Sequence, residues 1–215
     1  MRGTFLQCVA FTLLLALPAR GQVGVPAAHR VAIGPFVGMN YTSFYGSDAE
    51  GVNSRWDFTA GGQLDVDFAD VAFFRTGLLY AGRGAQTTES GVNVKVKLRY
   101  VELPLMLGYR FPTTGVRPYV AGGVHVAFKT ACDFEGSSGG ITESAACDDP
   151  NLGGGDFAST DFAILGGGGL LMPVGTGDLT LDARYALGLT KIEKSSDVKN
   201  RGFTVGVGFM IPIGR

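Results

Sequence analysis

The chain has 215 residues, of which 46% are hydrophobic and 17% charged, with 34 glycines and a formal net charge of -1. That length suits one domain, or one barrel behind a leader, and leaves little room for two. The near-neutral charge excludes a nucleic-acid footprint and an acidic tail, so electrostatics names no partner.

Met1 to Gln22 reads as a secretory signal, with Arg2 as its basic start, Phe5 to Leu17 as its apolar centre and Pro18 to Gly21 as a small-residue exit. Residues 23–215 are then the mature domain. No later stretch supplies the roughly 20 unbroken apolar residues that a spanning helix needs. Cys8 falls inside the leader without a fresh cleavage context, which argues against a lipid-anchored amino terminus. Cys132 and Cys147 flank a Gly/Ser-rich segment of an exported protein, where a loop disulfide is the natural reading. The neighbouring residues hold too few ligands for a metal, and no cofactor is expected.

The first expected strand sets Val31, Ile33, Pro35, Val37, Met39 and Tyr41 against Ala32, Gly34, Phe36, Gly38 and Asn40. A polar loop, Ser43 to Arg55, leads to a second, with Phe58, Ala60, Gly62, Leu64, Val66 and Phe68 facing away from Thr59, Gly61, Gln63, Asp65 and Asp67. The third opposes Phe74, Thr76, Leu78 and Tyr80 to Phe73, Arg75, Gly77 and Leu79, before a loop at Arg83 to Gly91. Val92 to Phe111 alternates for almost its whole length, which is far longer than a soluble strand and ample for a bilayer. Its apolar set moves from Val94, Val96, Leu98 and Tyr100 to Val101, Leu103, Leu105, Leu107 and Tyr109, so a one-residue bulge near Tyr100 is expected.

A fifth strand carries Val120, Val124, Val126 and Phe128 opposite Tyr119, Ala121, Gly123, His125 and Lys129. The longest irregular segment, Ala131 to Ser159, follows. Asp161 to Met172 forms a glycine-laden sixth strand, Leu179 to Thr190 a seventh, and Phe203 to Ile213 the last, after a charged loop at Lys191 to Arg201.

Connections are long after odd strands and short after even ones, the pattern of an outer-membrane barrel with short periplasmic turns. The expected fold is an eight-stranded antiparallel up-and-down transmembrane β-barrel. Aromatics then gather at two depths: Tyr41, Phe58, Tyr80, Tyr100, Phe128, Phe162 and Phe203 outside, and Phe68, Phe74, Tyr109, Phe111, Tyr119 and Phe209 inside. One face of nearly every strand is charge-free, and a soluble barrel would need a far more charged exterior than this.

Tyr100 to Phe111 (YVELPLMLGYRF) with Arg117 to Phe128 (RPYVAGGVHVAF), and Leu181 to Ile192 with Asn200 to Ile211, resemble two hairpins of the PorT-like outer-membrane β-barrel family of Bacteroidetes-type bacteria. The resemblance implies an eight-stranded outer-membrane barrel, and for some members a link to protein secretion. It carries over no catalytic motif. The chain departs from the pattern in ending Ile213-Gly214-Arg215 instead of on an aromatic residue.

An eight-stranded barrel is just wide enough to be filled by side chains. Asp65, Asp67, Arg75, Glu102, Arg110, His125, Asp182 and Arg184 fall on its inward face, and Glu102 or Asp182 is expected to pair with Arg75 or Arg184, because isolated buried charges are costly. Lys95, Lys97 and Arg99 are expected at the outer mouth, as a solvated strand end or a site for lipid phosphates or another anion. Acids in the outer loops, such as Asp48, Asp133, Asp148 and Asp156, lack the spacing of a calcium site. The expected role is a structural or interaction barrel of the cell envelope. Its partners would be outer-membrane lipid, lipopolysaccharide and secretion or other envelope proteins. A narrow channel is the alternative, and a lipid-modifying enzyme built on His125 a remoter one, since no serine has an obvious relation to that histidine.

Overall fold

The computed structural model describes residues 30–89, 91–147, 149, 157–193 and 196–213; the expected leader, Asp148 and Asp156 lie outside them. The strands are β1 (Val31–Tyr45), β2 (Asn53–Asp67), β3 (Ala72–Glu89), β4 (Val92–Arg110), β5 (Arg117–Ser138), β6 (Ile141–Ala146), β7 (Thr160–Val174), β8 (Gly177–Gly188) and β9 (Lys199–Ile213). All neighbouring pairs are antiparallel, and β1 pairs with β9, so β1 to β5 and β7 to β9 close into a ring. Closure leaves the wall without a free edge, which a lipid environment demands because no water is there to satisfy backbone groups.

Alternation sets the facing. Ile33, Val37, Met39, Leu78, Leu107 and Val124 are exposed on the outside, while Asn40, Gln63, Asp65, Arg75 and Thr180 are buried within. A globular protein in water does the reverse. Val101 pairs with both Tyr80 and Phe128, so the outer aromatic level runs across adjacent strands.

Three expectations need correction. Among the described residues the wall has eight strands, as the periodicity implies, but the sheet has nine, because β5 runs on to Ser138 and doubles back as β6. Gly139 and Gly140, with φ of 58° and 86°, make the two-residue turn of this hairpin, for which positive φ at both positions is required. The segment read as an irregular loop is therefore partly sheet. β3 and β4 likewise continue past the wall, so Arg83 lies in a strand and not in a loop.

The third correction concerns β4. A bulge does sit at Arg99/Tyr100, but its extra residue is Thr130 on β5; pairing of β4 with β3 runs through Arg99, Tyr100 and Val101 without a shift. The phase of β4 therefore never slips. Leu98 and Tyr100 point inward with Glu102 and Met106, at 0% and 1% exposure, and Lys95, Lys97 and Arg99 share the outward side of Val101. Hydrophobicity misled here because the outer end of the lumen is itself apolar: Leu98 and Tyr100 pack with Phe44, Ala85, Ala127 and Ile192.

Candidate functional site

The interior is layered from periplasm to exterior. At the periplasmic rim, Asp178 joins Arg30 to Arg117, the latter at 3.5 Å. Above it, Arg75 is the hub. Its Nε and Nη2 donate to the two oxygens of Asp65 at 2.7 and 2.9 Å, and its Nη1 donates to Asp182 Oδ1 at 2.8 Å and to the Tyr119 hydroxyl at 2.9 Å. Arg110 donates to Asp65 at 3.0 Å and also to Asp67. Arg184 donates to Asp182 at 2.9 Å, and the Gln63 amide oxygen accepts from it at 2.6 Å.

Aromatic faces complete this layer. The Arg110 guanidinium lies 4.1 Å from the Phe73 ring centre, and Arg184 lies 4.8 Å from that of Phe36. Such stacking stabilises a desolvated cation. Gly108 makes room for it, since a Cβ there would come within 2.2 Å of the Phe73 ring.

Further out, Arg83 Nε donates to Glu102 at 2.5 Å, and His125 Nδ1 lies 3.9 Å from the same carboxylate. Between these layers is a cavity of about 20 Å³ bordered by Thr59, Arg83, Glu102, His125 and Arg184. That is room for about one water. Next, Asp161 accepts from Asn200 at 2.7 Å and from Thr190. The apolar cluster around Leu98 and Phe44 covers the outer end.

Of the eight residues expected on the inward face, Asp65, Arg75, Glu102, Arg110, His125, Asp182 and Arg184 are inside and buried, and Asp67 is half-buried. Asp182 meets Arg75 and Arg184, but Glu102 pairs with Arg83, which the loop reading had missed. Tyr100 and Tyr119, expected in the aromatic girdles, face inward and are 1% and 3% exposed. Strand parity places both correctly once β4 is read without a slip and Tyr119 is kept in phase with His125.

Lys95, Lys97 and Arg99 lie on the outer surface of the sheet extension, not in the mouth. Lys95 donates to Glu135 at 2.9 Å, Lys97 donates to its other oxygen, and Arg99 pairs with Asp133 at 2.5 Å. Lys97 and Lys95 hold the Glu135 carboxyl down to a pKa of about 2, well below the usual range. Each of these cations has a cross-strand acid within reach, although the two lysines share one carboxylate, so the patch keeps a net charge of one.

Cys132 and Cys147 are bonded, with Cα atoms 5.4 Å apart, and tie the base of β5's extension to the residue after β6. Free-thiol labelling of the folded protein without reductant should leave both unmodified. Efficient alkylation at either would show that the bridge does not form.

A closed antiparallel ring, apolar outside and charged within, defines a transmembrane β-barrel of the bacterial outer membrane. The chain belongs to the family described as outer membrane protein beta-barrel domain, whose profile it matches over residues 19–194. Among solved structures it is similar to Neisserial surface protein A (NspA), at 15% identity over 84% of this chain and 97% of that one, with a TM-score of 0.49. Ail of Yersinia pestis is similar at 15% identity over 86% and 100% of the two chains (TM-score 0.41), and OprG from Pseudomonas aeruginosa at 14% over 86% and 96% (TM-score 0.45). No curated protein matches the chain.

Proposed function

We propose that the protein is a non-conducting, non-catalytic interaction barrel of the outer membrane, with its working surfaces on the outer rim and the protruding sheet. The observation that carries this reading is the filled lumen: an Arg75-centred ion network, a gap of about one water and an apolar cover lie in series along the axis. Its partners are outer-leaflet lipid and other envelope proteins. The two hairpins that resemble PorT-like barrels support a place beside that branch, and with it a role near secretion components.

The borders of the cavity at His125 include threonine, glutamate and arginine but no serine, which favours a packing role for this histidine over a nucleophilic pair. The mature barrel in a planar bilayer should give no resolved single-channel current, while the same preparation shows a heat-dependent gel shift. Stable ohmic steps from a heat-modifiable protein would establish the channel reading instead.

A further inference from the structure

Arg201 stands apart from the other described arginines. Arg30, Arg55, Arg75, Arg83, Arg99, Arg110, Arg117 and Arg184 each lie within ion-pair distance of a carboxylate, whereas among the described residues none does so for Arg201. It is exposed, on the outward side of β9, paired in register with Ser43 of β1 and Leu187 of β8. An unpaired cation on the outside of a membrane barrel calls for a partner from the surroundings.

The register fixes its depth. Trp56 pairs with Tyr41, Tyr41 with Phe203, and Phe203 with Tyr185, so one aromatic row crosses β2, β1, β9 and β8 on the lipid side. Ring centres in this row approach to 4.8 Å for Tyr41 and Trp56 and to 4.7 Å for Tyr185 and Phe203. Aromatic belts mark the membrane boundary. Arg201 lies two residues beyond Phe203 toward the exterior, roughly 7 Å along the strand, which is the level of the headgroups. There, Arg201, Ser43 and Ser54 share a cleft of about 250 Å³ with Tyr41, Tyr185 and Phe203.

We infer that this cleft binds a phosphate group of the phosphorylated glycolipid of the outer leaflet. The Arg201 guanidinium meets the phosphate through two parallel N–H groups, the geometry for which arginine is suited above lysine. The Ser54 hydroxyl donates to a remaining oxygen, and the aromatic row lies along the sugar and the start of the acyl chains. Lys95, Lys97 and Arg99 differ from Arg201 in that each already lies on Glu135 or Asp133 across the strands. This gives the lipid partner proposed above a defined site.

The test titrates the mature, refolded barrel in detergent with diphosphorylated lipid A and with its dephosphorylated form. Binding is followed by native mass spectrometry and by fluorescence of Trp56, the protein's one tryptophan, which lies in the row beside the cleft. Lipid A should bind, and Arg201→Ala or Arg201→Gln should weaken it about tenfold, a loss of one strong charged contact. Lys97→Ala should leave binding unchanged. Equal affinity in the Arg201 variants, equal affinity for the dephosphorylated lipid, or an equal loss in Lys97→Ala would each overturn the site. Displacement of lipid by an equimolar concentration of inorganic phosphate would also overturn it, by showing a free-phosphate site. Gel-shift and current measurements on the same preparations report the barrel and its closed lumen independently, so failure of the lipid site is distinguishable from failure of the broader reading.

Discussion

Replacing Arg75 by alanine should lower the unfolding free energy of the barrel by about 3 kcal/mol, the low end of the range for breaking a buried ion pair. The low end applies because the partners are not wholly orphaned. Asp65 keeps Arg110 and Asp182 keeps Arg184. What changes is the balance of the layer, in which the three arginines Arg75, Arg110 and Arg184 face the three aspartates Asp65, Asp67 and Asp182. Removing one cation leaves an excess acid in a dry interior and also strips a donor from the Tyr119 hydroxyl.

Arg75→Lys should recover part of the loss, since it restores the charge but not the fork that spans Asp65 and Asp182. Arg75→Ala combined with Asp182→Asn should be less damaging than the sum of the two, because the pair shares one network. Lys191→Ala is the control: that lysine is half exposed and lies 3.9 Å from Asp197, so its loss should cost about 0 to 1 kcal/mol. Urea unfolding in lipid vesicles compares them. Coincident midpoints for Arg75→Ala and Lys191→Ala would mean that the lumen network contributes little.

The same physics decides how much of this protein is legible in its sequence. In β2, Asp65, Gln63 and Thr59 oppose Leu64, Gly62 and Phe58, so polarity and facing coincide and the strand reads without ambiguity. The inward charges follow from that parity. Legibility fails wherever both faces have the same character. Val94, Val96, Leu98 and Tyr100 look like a lipid face because the outer end of the lumen is filled with apolar side chains. Tyrosine is ambiguous for a related reason: its ring suits a girdle and its hydroxyl suits a buried ion network, and Tyr119 takes the second role beside Arg75.

Beyond the bilayer the ambiguity takes another form. Strands that leave the membrane lose their lipid-facing apolar residues, so Arg83 to Glu89 and Asp133 to Ser138 resemble loops although they continue the ladder. The Gly139-Gly140 pair is the local signal for the extra hairpin. The isolation of Arg201 has no sequence signature, since it depends on which acids the register brings near.

Leu105→Arg should cost about 2 to 4 kcal/mol in a bilayer, the penalty for a cation on the lipid face at mid-depth. The depth follows from register. Val101 lies level with Tyr80 and Phe128 at the outer aromatic level, Tyr109 belongs to the inner one, and Leu105 is four residues from each. On the same face, Val101→Arg should cost only about 0 to 1 kcal/mol, because an arginine near the interface reaches the headgroups. The gradient between these positions is the informative quantity, since a generic intolerance of arginine would penalise both alike. It also tests the unbroken phase of β4: if the strand slipped at Tyr100, Leu98 would face lipid, and Leu98→Arg, close to the interface, would be mild. With Leu98 wholly buried among Phe44, Ala85 and Ala127, arginine there instead introduces an unpaired charge into a dry cluster. Unfolding in vesicles should therefore rank Val101→Arg as the mildest of the three. A Leu98→Arg as mild as Val101→Arg would reverse the facing of the outer half of this strand.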